Sequence, residues 1–175
     1  MTKTLIVCIV GESGSGKTYA SQYLQKRFGL HAIVSYTTRP IREEETNGVE
    51  HFFVNKEQVP SKDRMMAYTE FGGYQYWTEK EQFFDSLTCS YVIDEKGLQE
   101  LRQTVPPQLF HIMSVKIKRM NKAGISTERI ARDKEREEIA DKLFDAVVDN
   151  DGTLVDFEYK LGILYEKIWQ IQSTL

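Results

Sequence analysis

The first apolar run, Leu5-Ile-Val-Cys-Ile-Val10, has no polar break and is mostly β-branched. That is the pattern of a short strand buried on both faces of a parallel sheet. A glycine-rich turn follows it. Tyr19, Ala20, Tyr23, Leu24 and Phe28 then recur at helical spacing, with Gly29 placed to close the helix in a left-handed cap. These residues predict a βα unit with its helix over 18–28. Further strands are expected over 31–36, 90–94, 109–117 and 145–148, with Leu98 and Leu101 on a helix after the second of these. Thr153 is positioned to cap a closing helix that buries Phe157, Leu161, Leu164, Ile168 and Ile171. Strands alternating with helices predict an α/β fold, a parallel sheet flanked by helices.

Two stretches break this rhythm. Residues 37–85 are strand-like and rich in aromatic side chains, among them Phe52, Phe53, Tyr68, Phe71, Tyr74, Tyr76 and Trp77, and predict a small mixed or antiparallel insertion. Residues 116–138 hold eight basic residues against five acidic ones, a positive segment in a chain of net charge -3.

At 175 residues and 41% hydrophobic, the chain suits one domain with a core that needs no staples. The net charge argues against a general polyanion binder, so no nucleic-acid partner is expected. Cys8 and Cys89 have no metal or disulfide spacing and point to a reducing compartment. No apolar run is long enough for a membrane span, and a cytoplasmic protein with no membrane partner is the expectation.

Gly11-Glu-Ser-Gly-Ser-Gly-Lys17-Thr18 satisfies G-x-x-x-x-G-K-[ST] at every defined position, between a predicted strand and a predicted helix. Glycines let backbone amides converge on phosphate oxygens, and the helix start aims its positive dipole end at the same anion. Lys17 adds a point charge. Thr18 presents a hydroxyl to Mg²⁺, a hard cation that favours oxygen ligands and bridges substrate phosphates. A guanine switch protein would carry N-K-x-D, whereas the one Asn-Lys pair here runs Asn121-Lys122-Ala123-Gly124.

Ser35-Tyr-Thr-Thr-Arg39-Pro-Ile-Arg42 sets two guanidiniums three residues apart beside several hydroxyls, a clamp for a second phosphate. With the glycine-rich loop, this segment, Glu45-Thr-Asn47-Gly48, Phe71-Gly-Gly-Tyr-Gln-Tyr76, Asp94-Glu-Lys-Gly97 and Val147-Val-Asp-Asn150-Asp occur in an order that resembles the guanylate kinases over nearly the whole chain.

The resemblance implies one P-loop kinase domain, with a core over 1–36, 86–117 and 139–175, an acceptor-binding insertion over 37–85 and a helical lid over 118–138. It implies donor binding by Gly11, Ser13, Gly14, Ser15, Gly16, Lys17, Thr18 and Asn150, together with Arg119, Arg129 and Arg136. Acceptor binding falls to Ser35, Arg39, Arg42, Glu45, His51, Tyr76, Thr78 and Asp94, and catalysis to Lys17, Arg39 and Arg132. His51 stands where the family has a phosphate-binding tyrosine; it either makes the same contact through a ring N–H or is a half-buried strand histidine. Ala67 replaces the family's guanine-reading glutamate. Strand alternation would put Glu70 on the face opposite Ala67, which leaves the acceptor base open.

Arg129, Arg132 and Arg136 are spaced to share one face of a helix starting near Ser126, facing either the donor's charge or solvent. The implied activity is nucleoside monophosphate kinase: ATP with Mg²⁺ gives its terminal phosphoryl group to GMP or a related (deoxy)nucleotide. A sugar-phosphate kinase related to the ribose bisphosphate phosphokinases, a non-catalytic interaction module and a P-loop ATPase are the alternatives. Their marks would be a lost base reader, a degraded loop and acceptor-independent hydrolysis.

Overall fold

All seven residues of β1 (Thr4–Val10) are buried, and the two faces of the strand feed two separate cores. Ile6, Cys8 and Val10 pack with Leu98 and Leu101 of α2 (Glu95–Thr104). Leu5, Val7 and Ile9 pack with Ala20 and Leu24 of α1 (Lys17–Phe28) and with Phe157, Leu161, Leu164 and Ile168 of α4 (Leu154–Gln172). Burying each large side chain contributes roughly 1.5–3 kcal/mol. This computed structural model describes residues 2–121, 123–134, 136 and 139–175, with Arg132 described through its backbone alone.

β1 is the middle strand of a five-stranded sheet, flanked by β7 (Thr88–Val92) and β8 (Phe110–Lys118), with β2 (His31–Ile33) and β9 (Ala146–Asp149) at the edges. Every pairing is parallel, as the alternation of strands and helices predicts. The loop after β1 therefore emerges at the centre of the sheet's carboxyl edge, where α/β proteins bind ligands. Asp94 caps α2 by accepting the Gly97 amide at 2.6 Å, and a reciprocal Thr153–Asp156 capping box opens α4. Among the described residues, no helix is long and apolar enough to cross a membrane.

A second, mixed sheet has the order β4-β3-β6-β5, built from β3 (Tyr36–Thr37), β4 (Phe52–Phe53), β5 (Met65–Phe71) and β6 (Tyr74–Glu79). β3 runs parallel to β4 and antiparallel to β6. The single strand expected over 31–36 is thus divided between the sheets, with Val34 and Ser35 carrying the chain across. Tyr36 stacks on Phe52 and Trp77, at ring separations of 4.9 and 5.6 Å, and this aromatic contact draws it into the second sheet.

β5 contains a bulge. Met66 faces Thr78 but Thr69 faces Tyr76, so one extra residue sits on β5. Ala67 takes it up with φ 53°, the one non-glycine positive φ among the described residues. Thr78 Oγ1 donates to the Met66 carbonyl at 2.9 Å, and the Glu100 carboxylate of α2 accepts the amides of Ala67 and Tyr68.

Candidate active site

The loop between β1 and α1 is shaped by what glycine permits. Gly16 caps α1 at φ 105°, and a Cβ there would lie 2.7 Å from Asn150 Nδ2. A Cβ on Gly11 would fall 2.4 Å from the Ile117 carbonyl oxygen. Asn150 Nδ2 donates to the Ser15 carbonyl at 2.9 Å, so Asn150 braces the loop from the side and does not line the cavity beyond it. Ser15 Oγ is buried and has no hydrogen-bond partner among the described residues. Lys17 Nζ donates to the Glu12 carbonyl at 2.8 Å. Burial, and then the neighbouring Arg136 guanidinium, push the Lys17 ammonium down to about 7 against the opposing pull of Asp133 and Glu95.

One cavity of about 800 Å³ opens from this loop to the second sheet. Lys17 and Thr18 stand at one end, with Arg129 and Arg136 beside them; Arg39 and Arg42 stand at the other. Arg39 is only 7% exposed and lies 5.3 Å from the centre of the Phe53 ring. Its two terminal nitrogens meet the two Glu45 oxygens at 2.9 and 2.7 Å, and the Arg42 amide donates to the same carboxylate at 3.0 Å. Glu45 is therefore no solvated loop acid: it orients both arginines. Burial raises its carboxyl, but the hydrogen bonds from Arg39 and from the Arg42 amide outweigh this and hold it below the usual range.

His51 lines the cavity, with Nδ1 bonded to Ser35 Oγ at 2.8 Å and its ring edge-on to Tyr76. Burial, and then the Arg39 charge, lower its imidazole to about 4, so the ring is neutral at physiological pH. When Ser35 donates to Nδ1, Nε2–H is left to donate to an acceptor phosphate. Tyr76, Ser35 and Asp94 line the same space. Thr78 does not: fully buried, it spends its hydroxyl on the Met66 carbonyl. The bulge overturns the alternation expected along β5, and Ala67, Thr69 and Glu70 all border the cavity.

On the far side, α3 (Thr127–Asp133) starts one residue past Ser126 and ends before Arg136, so the three arginines do not share a helical face. Arg136 instead donates from Nε to Glu95 at 2.8 Å and from Nη1 to the Gly11 carbonyl at 2.8 Å. Arg129 also borders the cavity, the Arg132 side chain lies outside the described residues, and Arg119 is exposed beyond β8, away from the cavity. Glu95 and Asp133, which line the cavity, and Glu100, which braces the bulge from outside it, are residues that the sequence pattern does not single out. Glu95 alone carried a signal, as the neighbour of Asp94 at a strand end.

Among the described residues, no three His, Cys, Asp or Glu side chains gather to hold a metal by themselves. Thr18, Asp94 and Glu95 in the cavity walls instead fit a hard cation that takes most of its ligands from phosphate and water.

A glycine-built anion nest facing an arginine pair across one cleft defines a P-loop phosphotransferase. The sequence profile of guanylate kinase matches residues 1–162. Guanylate kinase from Neisseria gonorrhoeae is 34% identical over 165 residues, covering 83% of this chain and 80% of the relative. The Carboxydothermus hydrogenoformans guanylate kinase is 29% identical over 143 residues, covering 74% and 70%. The crystal structure of guanylate kinase from Anaplasma phagocytophilum superposes with a TM-score of 0.71 at 20% identity, over 98% of this chain and 88% of that one, and shows the same fold. The chain belongs to the guanylate kinase family. It is accordingly an ATP-dependent phosphotransferase of the nucleoside monophosphate kinase type.

Proposed function

We propose that the protein transfers the γ-phosphoryl group of ATP to the phosphate of GMP or dGMP. The observation that carries this is the single cavity with Lys17 at one end and the Glu45-oriented pair Arg39 and Arg42 at the other. The acceptor needs no protein base, because a phosphate with its second pKa near 6 already offers an anionic oxygen at neutral pH. The work of the protein is alignment and charge neutralisation. Lys17 and the amides of residues 13–18 hold the donor phosphates. Arg39, Arg42, Tyr76 and His51 hold the acceptor phosphate. Thr18 would hold Mg²⁺ together with the donor phosphates, and the ion would supply further charge neutralisation. The α3-bearing segment, residues 118–138, acts as a lid that brings its arginines to the donor and excludes water.

On the base side, Glu70 supports a guanine acceptor, since the bulge brings a carboxylate to the wall that Ala67 leaves apolar. A second reading, an acceptor with no purine edge such as a sugar phosphate, rests on Ala67 itself. An ADP-release assay across GMP, dGMP, AMP, UMP, CMP, dTMP and ribose phosphates separates the two. Turnover confined to guanine nucleotides and weakened in Glu70→Ala supports the first; turnover of ribose phosphates alone establishes the second. Lys17→Ala should lower turnover by several orders of magnitude while remaining folded, and near-normal turnover by that variant would refute the phosphotransfer assignment.

A further inference from the structure

A carboxylate already occupies the anion nest. The Ser13 amide donates to Asp133 Oδ2 at 2.8 Å and the Ser13 hydroxyl to Oδ1 at 3.1 Å. The two carboxylate oxygens thus take donors that the loop otherwise offers to phosphate. Three further contacts close the same face. Ile125 sits so near Gly14 that a Cβ there would be 2.3 Å from Ile125 Cδ1. Arg136 Nη1 is bonded to the Gly11 carbonyl and lies 3.5 Å from Asp133 Oδ1. Lys17, Arg129 and Arg136 gather at this end of the cavity, where Asp133 and Glu95 are the acids set among them.

We infer that Asp133 sets the affinity for the donor by acting as an internal stand-in for its phosphate, latching the lid onto the loop between β1 and α1. Donor phosphates and Asp133 compete for the Ser13 donors, so the nucleotide binds only to the unlatched fraction. The apparent dissociation constant rises in inverse proportion to that fraction. Release of Asp133 also takes the more distant of two carboxylates away from Arg136, which keeps its bonds to Glu95 and the Gly11 carbonyl. A free loop would gain affinity at the cost of lying open to water.

This inference rests on the reading of the loop as the donor site, and the probe is ADP without any acceptor, so that turnover plays no part. Calorimetric binding at fixed salt is compared for wild type, Asp133→Asn, Asp133→Ala and Glu128→Gln. Glu128→Gln removes an exposed acid from the same helix and so controls for net charge. Hydrogen exchange of amides 127–133 without nucleotide is the second readout. The expected result is ADP binding about tenfold tighter in Asp133→Ala, an intermediate gain in Asp133→Asn and less than twofold change in Glu128→Gln. Exchange over 127–133 should speed up in the Asp133 variants alone. Unchanged or weaker ADP binding in Asp133→Ala overturns the latch, as does an equal gain in Glu128→Gln or tighter binding with lid exchange unaltered. Failure of every variant, wild type included, to bind ADP would refute the donor site and the latch with it.

Discussion

Arg39 and Glu45 form a two-pronged ion pair, with nitrogen–oxygen separations of 2.9 and 2.7 Å, in which the arginine is almost wholly buried. The glutamate also accepts the Arg42 amide and lies 3.5 Å from Arg42 Nη1, so one carboxylate contacts both guanidiniums proposed to receive the acceptor phosphate. Positive charge is thereby held in place before any substrate arrives.

Glu45→Gln should separate binding from folding. Its amide keeps one acceptor oxygen but loses the charge-assisted fork, which is worth about 1.5–3 kcal/mol. The acceptor KM should rise about tenfold or more, with a smaller change in kcat, when initial rates are measured against acceptor concentration. The wild-type Glu45 carboxyl is held below its ordinary 4.5, so its stabilisation is complete above that value and fades as pH falls through the lowered one. Wild-type and Glu45→Gln melting temperatures should accordingly converge in acid.

Lys17 makes donor binding pH-dependent. Its ammonium titrates near 7 without ligand, and a bound polyphosphate must raise that value. Below pH 7 the lysine is already charged and affinity is at its plateau. Above it, binding takes up a proton and affinity should fall by up to about tenfold per pH unit. Calorimetry in buffers of different ionisation enthalpy would detect that proton at pH 8.

His51→Phe should raise the acceptor KM by about tenfold, the worth of one hydrogen bond to a charged phosphate. Since the imidazole titrates near 4, wild type and variant should keep the same shape of pH–rate profile between pH 6 and 8. A wild-type inflection near 6.5 that vanishes in the variant would contradict the neutral-ring assignment.

Glu95→Gln breaks a pair whose side chains are only 13% and 10% exposed, leaving Arg136 with the more distant Asp133, at 3.5 Å, as its carboxylate partner. Losing one member of a buried pair costs about 3–5 kcal/mol. At about 2–4 °C per kcal/mol for a chain of this size, the melting temperature should drop by roughly 6–20 °C. Glu95 and Arg136 are 41 residues apart in sequence, so an equal drop in Arg136→Gln and no additional drop in the double variant would identify the pair as the cause.

The parallel sheet was legible because β1 is apolar from Leu5 to Val10 and its helices repeat at 3.6 residues. The glycine loop was legible because its chemistry needs fixed residue types at fixed offsets. What escaped the pattern is non-local. Val34 and Ser35 divide a continuous strand-like run between two sheets because Tyr36 finds aromatic partners at positions 52 and 77. The bulge at Ala67 undoes strict alternation, bringing Glu70 to a wall that period-two counting denies it. Asp133 meets Ser13 across 120 residues, a contact that no spacing rule anticipates.

The two-residue passage between β2 and β3 bears on how such a cleft can move. Two residues reach no further than about 7 Å at full extension, so at this corner the donor half and the acceptor half stay tethered whatever the lid does. Opening there must be a swing about the tether rather than a parting of the halves. Ser35, which touches His51, sits at that tether, so the acceptor site is anchored to the donor half through its own wall.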